Sequence, residues 1–359
     1  MTKKVKIGDL VIGGGAGIAI QSMTNTLTED VSGTVGQVLA LEAAGCDIVR
    51  CAVPNAEAAA ALGQIKAAAH IPVVADIHFD YRLALAAIDA GVDKVRINPG
   101  NIGDPANVKK VADAANAAGI PIRIGINGGS LEKDILAKYG GVTAEALAES
   151  AVRNIELMHG FDFDNLVVSI KSSDVRINTE AHRILAGKTE HPLHIGITEA
   201  GTGRAAIVKA SAGIGSLLSL GIGDTIRVSL TGDPVQEIFV ARDILKSFEL
   251  LPGQINLISC PTCGRCKVNL SGIAEEVAAA IDKVESERIR QIKNGGSDAS
   301  KAKPLTVAVM GCAVNGPGEA GEADLGIACG VGNAILFKQG KQIRTIATSE
   351  IVATIVNEL

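Results

Sequence analysis

Short β-branched runs alternate with Ala-rich amphipathic stretches over the first two thirds of the chain. The pattern predicts strands over 18–22, 47–53, 72–77, 94–98, 121–127, 166–171, 193–198 and 225–230. Helical periodicity occupies 56–69, 81–90, 105–118, 144–159, 176–188, 205–220 and 235–248. Turn signals such as Ala-Gly-Cys-Asp (44–47), Ala-Gly-Val-Asp (90–93) and Ala-Gly-Ile-Pro (118–121) stand just before strands. Eight βα units in this order predict a (β/α)8 TIM-type barrel rather than an open sheet, with its domain spanning 1–250.

The repeat breaks at Leu250-Leu-Pro-Gly253. Beyond it a strand (255–259), a charged helix (273–293), a polar loop (294–300), a strand (305–310), a hairpin (334–347) and a last helix (349–358) predict a smaller α+β domain over 251–359. At the other end, four glycines between Gly13 and Gly17 suggest a dinucleotide loop. The helix such a loop needs is replaced by the strand at 18–22, so a hairpin ahead of the first barrel strand is the better expectation.

Composition narrows the function. The chain has no Trp, two Tyr and a net charge of −5, which argues against base-stacking platforms and against general attraction to nucleic acid. Lys3, Lys4 and Lys6 precede an apolar run, but Asp9 and the glycines interrupt it, and no leader is expected. No apolar run approaches the roughly 20 residues of a membrane span. Seven cysteines without a secreted disulfide pattern suit a reducing compartment, and the expected location is the cytoplasm.

In a barrel, active sites lie at the C-terminal ends of the strands. Read there in order, the chain gives Ser22, Arg50, Asp76 and His78, Arg96 and Asn98, Arg123 and Asn127, Lys171, Glu199, then Arg227 and Ser229. Any one Arg at a strand end is ordinarily a solvated charge. Four Arg and a Lys on one rim predict a site for a multiply charged anion, best a diphosphate held by forked guanidinium bonds. Of the six His, only His78 falls at a strand end, and the other five are expected at the surface or in loops.

The second domain carries Ser259-Cys-Pro-Thr-Cys-Gly-Arg-Cys266 and Met310-Gly-Cys-Ala-Val-Asn-Gly-Pro-Gly-Glu319. Thiolates two residues apart in a tight turn converge on one point, and Cys312 from a distant turn can close the set around a soft metal or an iron–sulfur cluster. Glu319 offers an exchangeable carboxylate where a fourth Cys would saturate the site. Cys266 adds a C-x2-C-x2-C spacing and is read as a spare thiol. Cys46, Cys51 and Cys329 are read as small buried apolar residues.

These motifs, with Gln21-Ser-Met-Thr-Asn-Thr26, Val95-Arg-Ile-Asn-Pro-Gly-Asn-Ile-Gly103, Lys171-Ser-Ser-Asp174 and Ile197-Thr-Glu-Ala-Gly201, closely resemble the 4-hydroxy-3-methylbut-2-enyl diphosphate synthases of the non-mevalonate isoprenoid pathway. The resemblance covers essentially the whole chain, in the compact bacterial form. It implies a 4Fe-4S cluster on Cys260, Cys263, Cys312 and Glu319, and reductive opening of 2-C-methyl-D-erythritol 2,4-cyclodiphosphate by two electrons with loss of water. It further implies Arg50, Arg96, Arg123, Asn127 and Lys171 as substrate contacts, with Arg227, Ser229, Asp76 and His78 beside them and Glu199 as acid/base. Flavodoxin or ferredoxin is the implied electron donor, and the implied assembly is a homodimer that shares the active site between subunits. Two other readings of the residues stay open. One is a redox-inactive barrel enzyme stapled by zinc, which Cys266 in place of Glu319 would suit. The other is an electron carrier, which has no need of cations on a barrel rim.

Overall fold

The structure, a computed structural model, describes residues 1–266, 268–293, 303–312 and 314–359. The predicted polar loop at 294–300 lies outside the described residues. The described chain divides into two compact units, Met1–Phe248 and Glu249–Leu359.

The first unit opens with a hairpin, β1 (Val5–Ile7) and β2 (Leu10–Ile12). The barrel follows as β3 (Ala19–Met23), α1 (Val31–Ala44), β4 (Ile48–Ala52), α2 (Ala56–Ala68), β5 (Val73–Asp76), α3 (Tyr81–Asp89) and β6 (Lys94–Ile97). It continues with α4 (Pro99–Ile102), α5 (Pro105–Ala118), β7 (Ile122–Asn127), α6 (Lys133–Tyr139), α7 (Ala144–His159) and β8 (Leu166–Lys171). The circuit ends with α8 (Val175–Ala186), β9 (His194–Ile195), α9 (Gly203–Leu218), β10 (Thr225–Ile226) and α10 (Pro234–Ser247). Strands β3 to β10 run parallel in a ring, closed between β8 and β9 by a single bridge, Val168 to Leu193.

Short polar residues start the helices. The side chains of Asp30, Asn55, Asp80, Asp104, Thr143, Asp174 and Asp233 each accept a bond from an early helical N–H, which stabilises each helix by about 1 kcal/mol. Asp104-Pro105 and Asp233-Pro234 add a proline at the first helical position, where no N–H is needed. The seven sequence-predicted helices form. The helix α1 and the short α4 and α6 were missed, because Gly33 and Gly36 dilute the first and the other two are under two turns.

The glycine run 13–15 takes positive φ throughout and joins the hairpin to β3, rather than forming the hairpin tip. The hairpin itself plugs the barrel's N-terminal mouth: Val5, Ile7 and Ile12 pack in one cluster with Ala19, Ile48, Val74 and Val167 from four barrel strands. Charged residues start at the same level, since Lys94 is the register partner of Val74 and Arg123 that of Val167.

The second unit is a five-stranded mixed sheet. Strands β11 (Ile255–Ser259), β12 (Leu305–Met310) and β13 (Leu325–Cys329) are parallel; β14 (Asn333–Lys338) and β15 (Lys341–Ala347) complete it antiparallel. The long helix α11 (Leu270–Lys293) and the last helix α13 (Ile351–Glu358) cover one face through Val277, Ile281, Ile351 and Ile355. On the other face the short helix α12 (Gly316–Glu322) packs Ala320 against Ala308, Met310 and Ala328. Strand β13 was missed by sequence reading, since Gly326 and the alanines hide its alternation.

Ile12 has no exposed surface, whereas Val11 beside it is 40% exposed. Ile12→Ala is expected to cost the barrel about 2–5 kcal/mol and Val11→Ala under about 0.5 kcal/mol, read from urea unfolding followed by a barrel-specific probe. Equal costs would mean that the hairpin is not part of the core.

Candidate active site

Strand alternation sends Arg50, Asp76, Lys94, Arg96, Arg123 and Lys171 to the barrel interior, because residues two apart share a face. Cross-strand register sets Asp76 beside Arg96, and Arg96 beside Arg123. The Arg96 Nη1 donates to Asp76 Oδ1 at 3.1 Å, and the Arg50 Nε lies 3.5 Å from Asp76 Oδ2. Burial alone would raise the Asp76 pKa, but Arg50, Arg96, Lys171 and Arg123 outweigh it and hold the carboxyl well below its usual range.

The sequence reading placed Arg123 at the rim. It is instead the second residue of β7 and fully buried, and all three guanidinium nitrogens lack a protein partner. Lys94 Nζ and two of the Arg96 nitrogens are equally unpartnered. Gly125 makes room for this: a Cβ there would stand 2.5 Å from Arg96 Nε. Buried cations without partners are costly, and here several share one chamber.

Their ionisation shows the strain. Burial, followed by the field of Arg96, Arg50 and Arg123, pushes the Lys171 ammonium down to about 6. Burial also lowers Arg50 to about 10, and both Arg123 and Lys94 fall well below their usual values for the same reason. Arg50, Lys171, Arg227 and Ser229 line an open cavity of about 40 Å³ together with Ser169, His194 and Thr198. Asn127 ends β7 and is Lys171's register partner. His78 is half exposed, its Nε2 4.0 Å from Asp76 Oδ2, and burial lowers its pKa.

Glu199 lies exposed in the loop after β9 with φ +52, the left-handed region that non-glycine residues seldom occupy. Gly201 in the same loop and Gly203 at the start of α9 also have positive φ. Strain of this kind collects at functional sites, where the surrounding structure holds it.

Two groups escaped the sequence reading. Glu237 on α10 is buried and takes Arg227 through both oxygens, Nε at 3.3 Å and Nη2 at 3.2 Å, while Ser22 Oγ and Leu230 N–H also donate to it. It sits on a helix, outside any search of strand ends. The second group is the histidines, for which the expectation of surface or loop positions fails at His182 in α8 and His194 in β9, while His191 lies in a loop and is buried all the same. His182, His191 and His194 are buried. His182 bonds Asn178 O inside α8, and His194 bonds Thr225 Oγ1 in the barrel interior.

In the second unit, the parallel pairing of β11 with β12 brings the two Cys turns side by side at the strand ends. Cys260, Cys263, Cys312 and Glu319 line one pocket of about 240 Å³ with Arg265 and Asn315. The backbone N–H groups of Asn315 and Val314 lower the Cys312 pKa, and Arg265 lowers that of Cys263. Gly311 N–H points at Cys260 Sγ, 3.4 Å away. Such an environment favours thiolates, the form that binds metal.

Cys266 is not among the pocket-lining residues; its thiol faces Val268 O at 3.3 Å and packs on the sheet core. A Cβ at Gly311 would come within 2.6 Å of that sulfur, so only glycine lets the two turns close together. Cys46, Cys51 and Cys329 are buried, and burial raises Cys51 and Cys329 to about 11.

The donor set can be tested for size. Among the described residues, no three of these thiol and carboxylate donors lie within 4.8 Å of one another. A tetrahedral zinc ion with 2.3 Å bonds needs donors roughly 3.8 Å apart.

Because Lys171 is held near pKa 6, it is mostly neutral at pH 8, and an incoming polyanion should recharge it. Binding of pyrophosphate at pH 8 is therefore expected to take up close to one proton per site. Calorimetry in buffers of different ionisation enthalpy would show it, and Lys171→Met should abolish it. Uptake unchanged in that variant would contradict the assignment.

Two family models match the chain, the GcpE TIM-barrel domain over residues 2–242 and the GcpE protein C-terminal domain over residues 256–359. A protein of Caldicellulosiruptor saccharolyticus is 54% identical over 359 residues, covering 100% of this chain and 98% of its own. Relatives from Ruminiclostridium cellulolyticum and Listeria monocytogenes are 51% and 52% identical over 358 residues, covering 100% of this chain and 97% and 93% of theirs. All three bear the name 4-hydroxy-3-methylbut-2-en-1-yl diphosphate synthase (flavodoxin). With its barrel and its Cys-bearing unit both matched, this chain belongs to the GcpE family.

Proposed function

We infer that the chain is an oxidoreductase of the non-mevalonate isoprenoid pathway, acting as its relatives are named. It converts 2-C-methyl-D-erythritol 2,4-cyclodiphosphate to 4-hydroxy-3-methylbut-2-enyl diphosphate. Two electrons and two protons enter, the ring C–O bond to phosphate breaks, and one hydroxyl leaves as water. The observation that carries the reading is the barrel chamber, where Arg50, Arg96, Arg123 and Lys171 share the one buried carboxylate of Asp76, while Glu237 is taken up by Arg227. A cyclic diphosphate supplies the missing negative charge, and forked guanidinium bonds fix its two phosphorus centres. Lys171, Arg227 and Ser229 border the cavity and are assigned to the same substrate, and Asn127, the register partner of Lys171, and His78, beside Asp76, are assigned to it as well. Asp76 keeps Arg50 and Arg96 in place, and Glu237 does so for Arg227.

Domain roles follow from this assignment: 1–250 binds the substrate, and 251–359 carries the redox group. The pocket of Cys260, Cys263, Cys312 and Glu319 offers three thiols and a carboxylate, the donor set assigned here to a 4Fe-4S cluster. When bound, such a cluster supplies electrons singly, and three thiolates with one carboxylate leave one iron open to exchange. Arg265 and the N–H groups around Cys312 stabilise the negative charge of the ligand set. The electron donor is assigned as flavodoxin, in line with the relatives' names. The working assembly is taken as a homodimer that shares its active site.

Glu199 is assigned as the acid/base group that hands a proton to the departing hydroxyl. Glu199→Gln is expected to cut turnover by at least about a hundredfold and to leave iron content and the visible spectrum unchanged. Loss of the cluster instead would place Glu199 in a structural role.

Cys266→Ser separates the ligand sets. Full iron and near-normal turnover are expected, because that thiol faces Val268 O and not the pocket. An iron-free product would show that Cys266, not Glu319, is the fourth ligand, and would return the zinc or closed-cluster alternatives.

A further inference from the structure

Far from the strand ends, at the N-terminal side of the barrel, three side chains aim one atom each at a common point. His159 is the last residue of α7, Asp164 lies in the loop before β8, and His191 lies in the loop before β9. The two Nε2 atoms are 3.0 Å apart. Asp164 Oδ1 is 3.1 Å from that of His159 and 3.7 Å from that of His191. This is the one such convergence of His, Cys, Asp and Glu donors among the described residues.

We propose that His159, Asp164 and His191 form a divalent metal site of the zinc class that clamps the seam of the barrel. The point equidistant from the three donors lies about 1.9 Å from each in their plane. An ion slightly above that plane meets all three at 2.0–2.1 Å, the zinc–nitrogen and zinc–oxygen bond length. Two imidazoles and a carboxylate match the preference of zinc for borderline donors. Asp164 and His159 are 60% and 44% exposed, so a fourth position is open to water.

Hydrogen bonding alone explains the cluster less well. A single N–H between the imidazoles points along one line, yet His159 Nε2 faces both His191 Nε2 and Asp164 Oδ1. His191 is buried and its Nδ1 has no protein partner. Lys3 Nζ lies 2.8 Å from both oxygens of Asp164 and serves as the stand-in cation.

Location gives the site a purpose. Strands β8 and β9 meet through the lone Val168–Leu193 bridge, supported by Val168 N–H to Pro192 O at 2.9 Å. Asp164 stands two residues before β8, and His191 three before β9. A metal bound here ties the starts of both strands where the barrel's own hydrogen bonding is thinnest.

The test uses untagged, cluster-loaded protein under anaerobic conditions, titrated with Zn²⁺ against a chromogenic chelator. One zinc per chain is expected beyond the iron content, with a rise in the barrel's unfolding temperature. His159→Ala, at a partly exposed position, and Asp164→Asn should each weaken zinc more than tenfold without altering turnover. Lys3→Gln should tighten it, because the ammonium then no longer competes for Asp164. Zinc uptake that is absent in the parent protein, the same in His159→Ala, or weakened by Lys3→Gln would overturn the proposal.

Discussion

The barrel interior gathers more positive charge than its own carboxylates neutralise, and the rest of the structure depends on that imbalance. Arg50, Arg96, Arg123, Lys94 and Lys171 share a chamber in which Asp76 is the nearest counter-charge. Neutralising them all by folding alone would need more acids, and the chain does not provide them there. The deficit is met partly by deprotonation, as at Lys171, and, in the function proposed, by the substrate's two phosphates. Apolar plugging by the N-terminal hairpin keeps water from entering the chamber from below, which preserves the low dielectric that makes each guanidinium contact strong.

The second unit follows a different rule. Its Cys turns are placed by strand pairing: β11 and β12 are parallel neighbours in register, so their ends deliver Cys260 and Cys312 to the same edge. Gly311 permits the turns to touch, and α12 brings Glu319 to the same pocket. Backbone N–H groups and Arg265 supply the positive potential that holds thiolates.

Much of this was legible in the sequence, for identifiable reasons. Eight β-branched runs separated by Ala-rich stretches describe a barrel because burial on both faces of a parallel strand leaves few alternatives. Arg50, Asp76, Arg96 and Lys171 could be found because strand ends order them. Depth could not be read: Arg123 looked like a rim residue and is buried, because only the register and the side-chain-free Gly125 reveal the space around it. Glu237 was invisible since its helix contributes from outside the strand series. His182 and His194 were misjudged because neutral imidazole is readily buried when a carbonyl or hydroxyl takes its proton.

The most direct check of the account is the metal analysis of anaerobically purified protein, with Mössbauer spectra before and after addition of the cyclic diphosphate. The account predicts about four irons and four acid-labile sulfides per chain, with one iron whose signal differs from the other three and shifts on addition of substrate. Zinc bound by the cysteines without sulfide, or four equivalent irons indifferent to substrate, would contradict it.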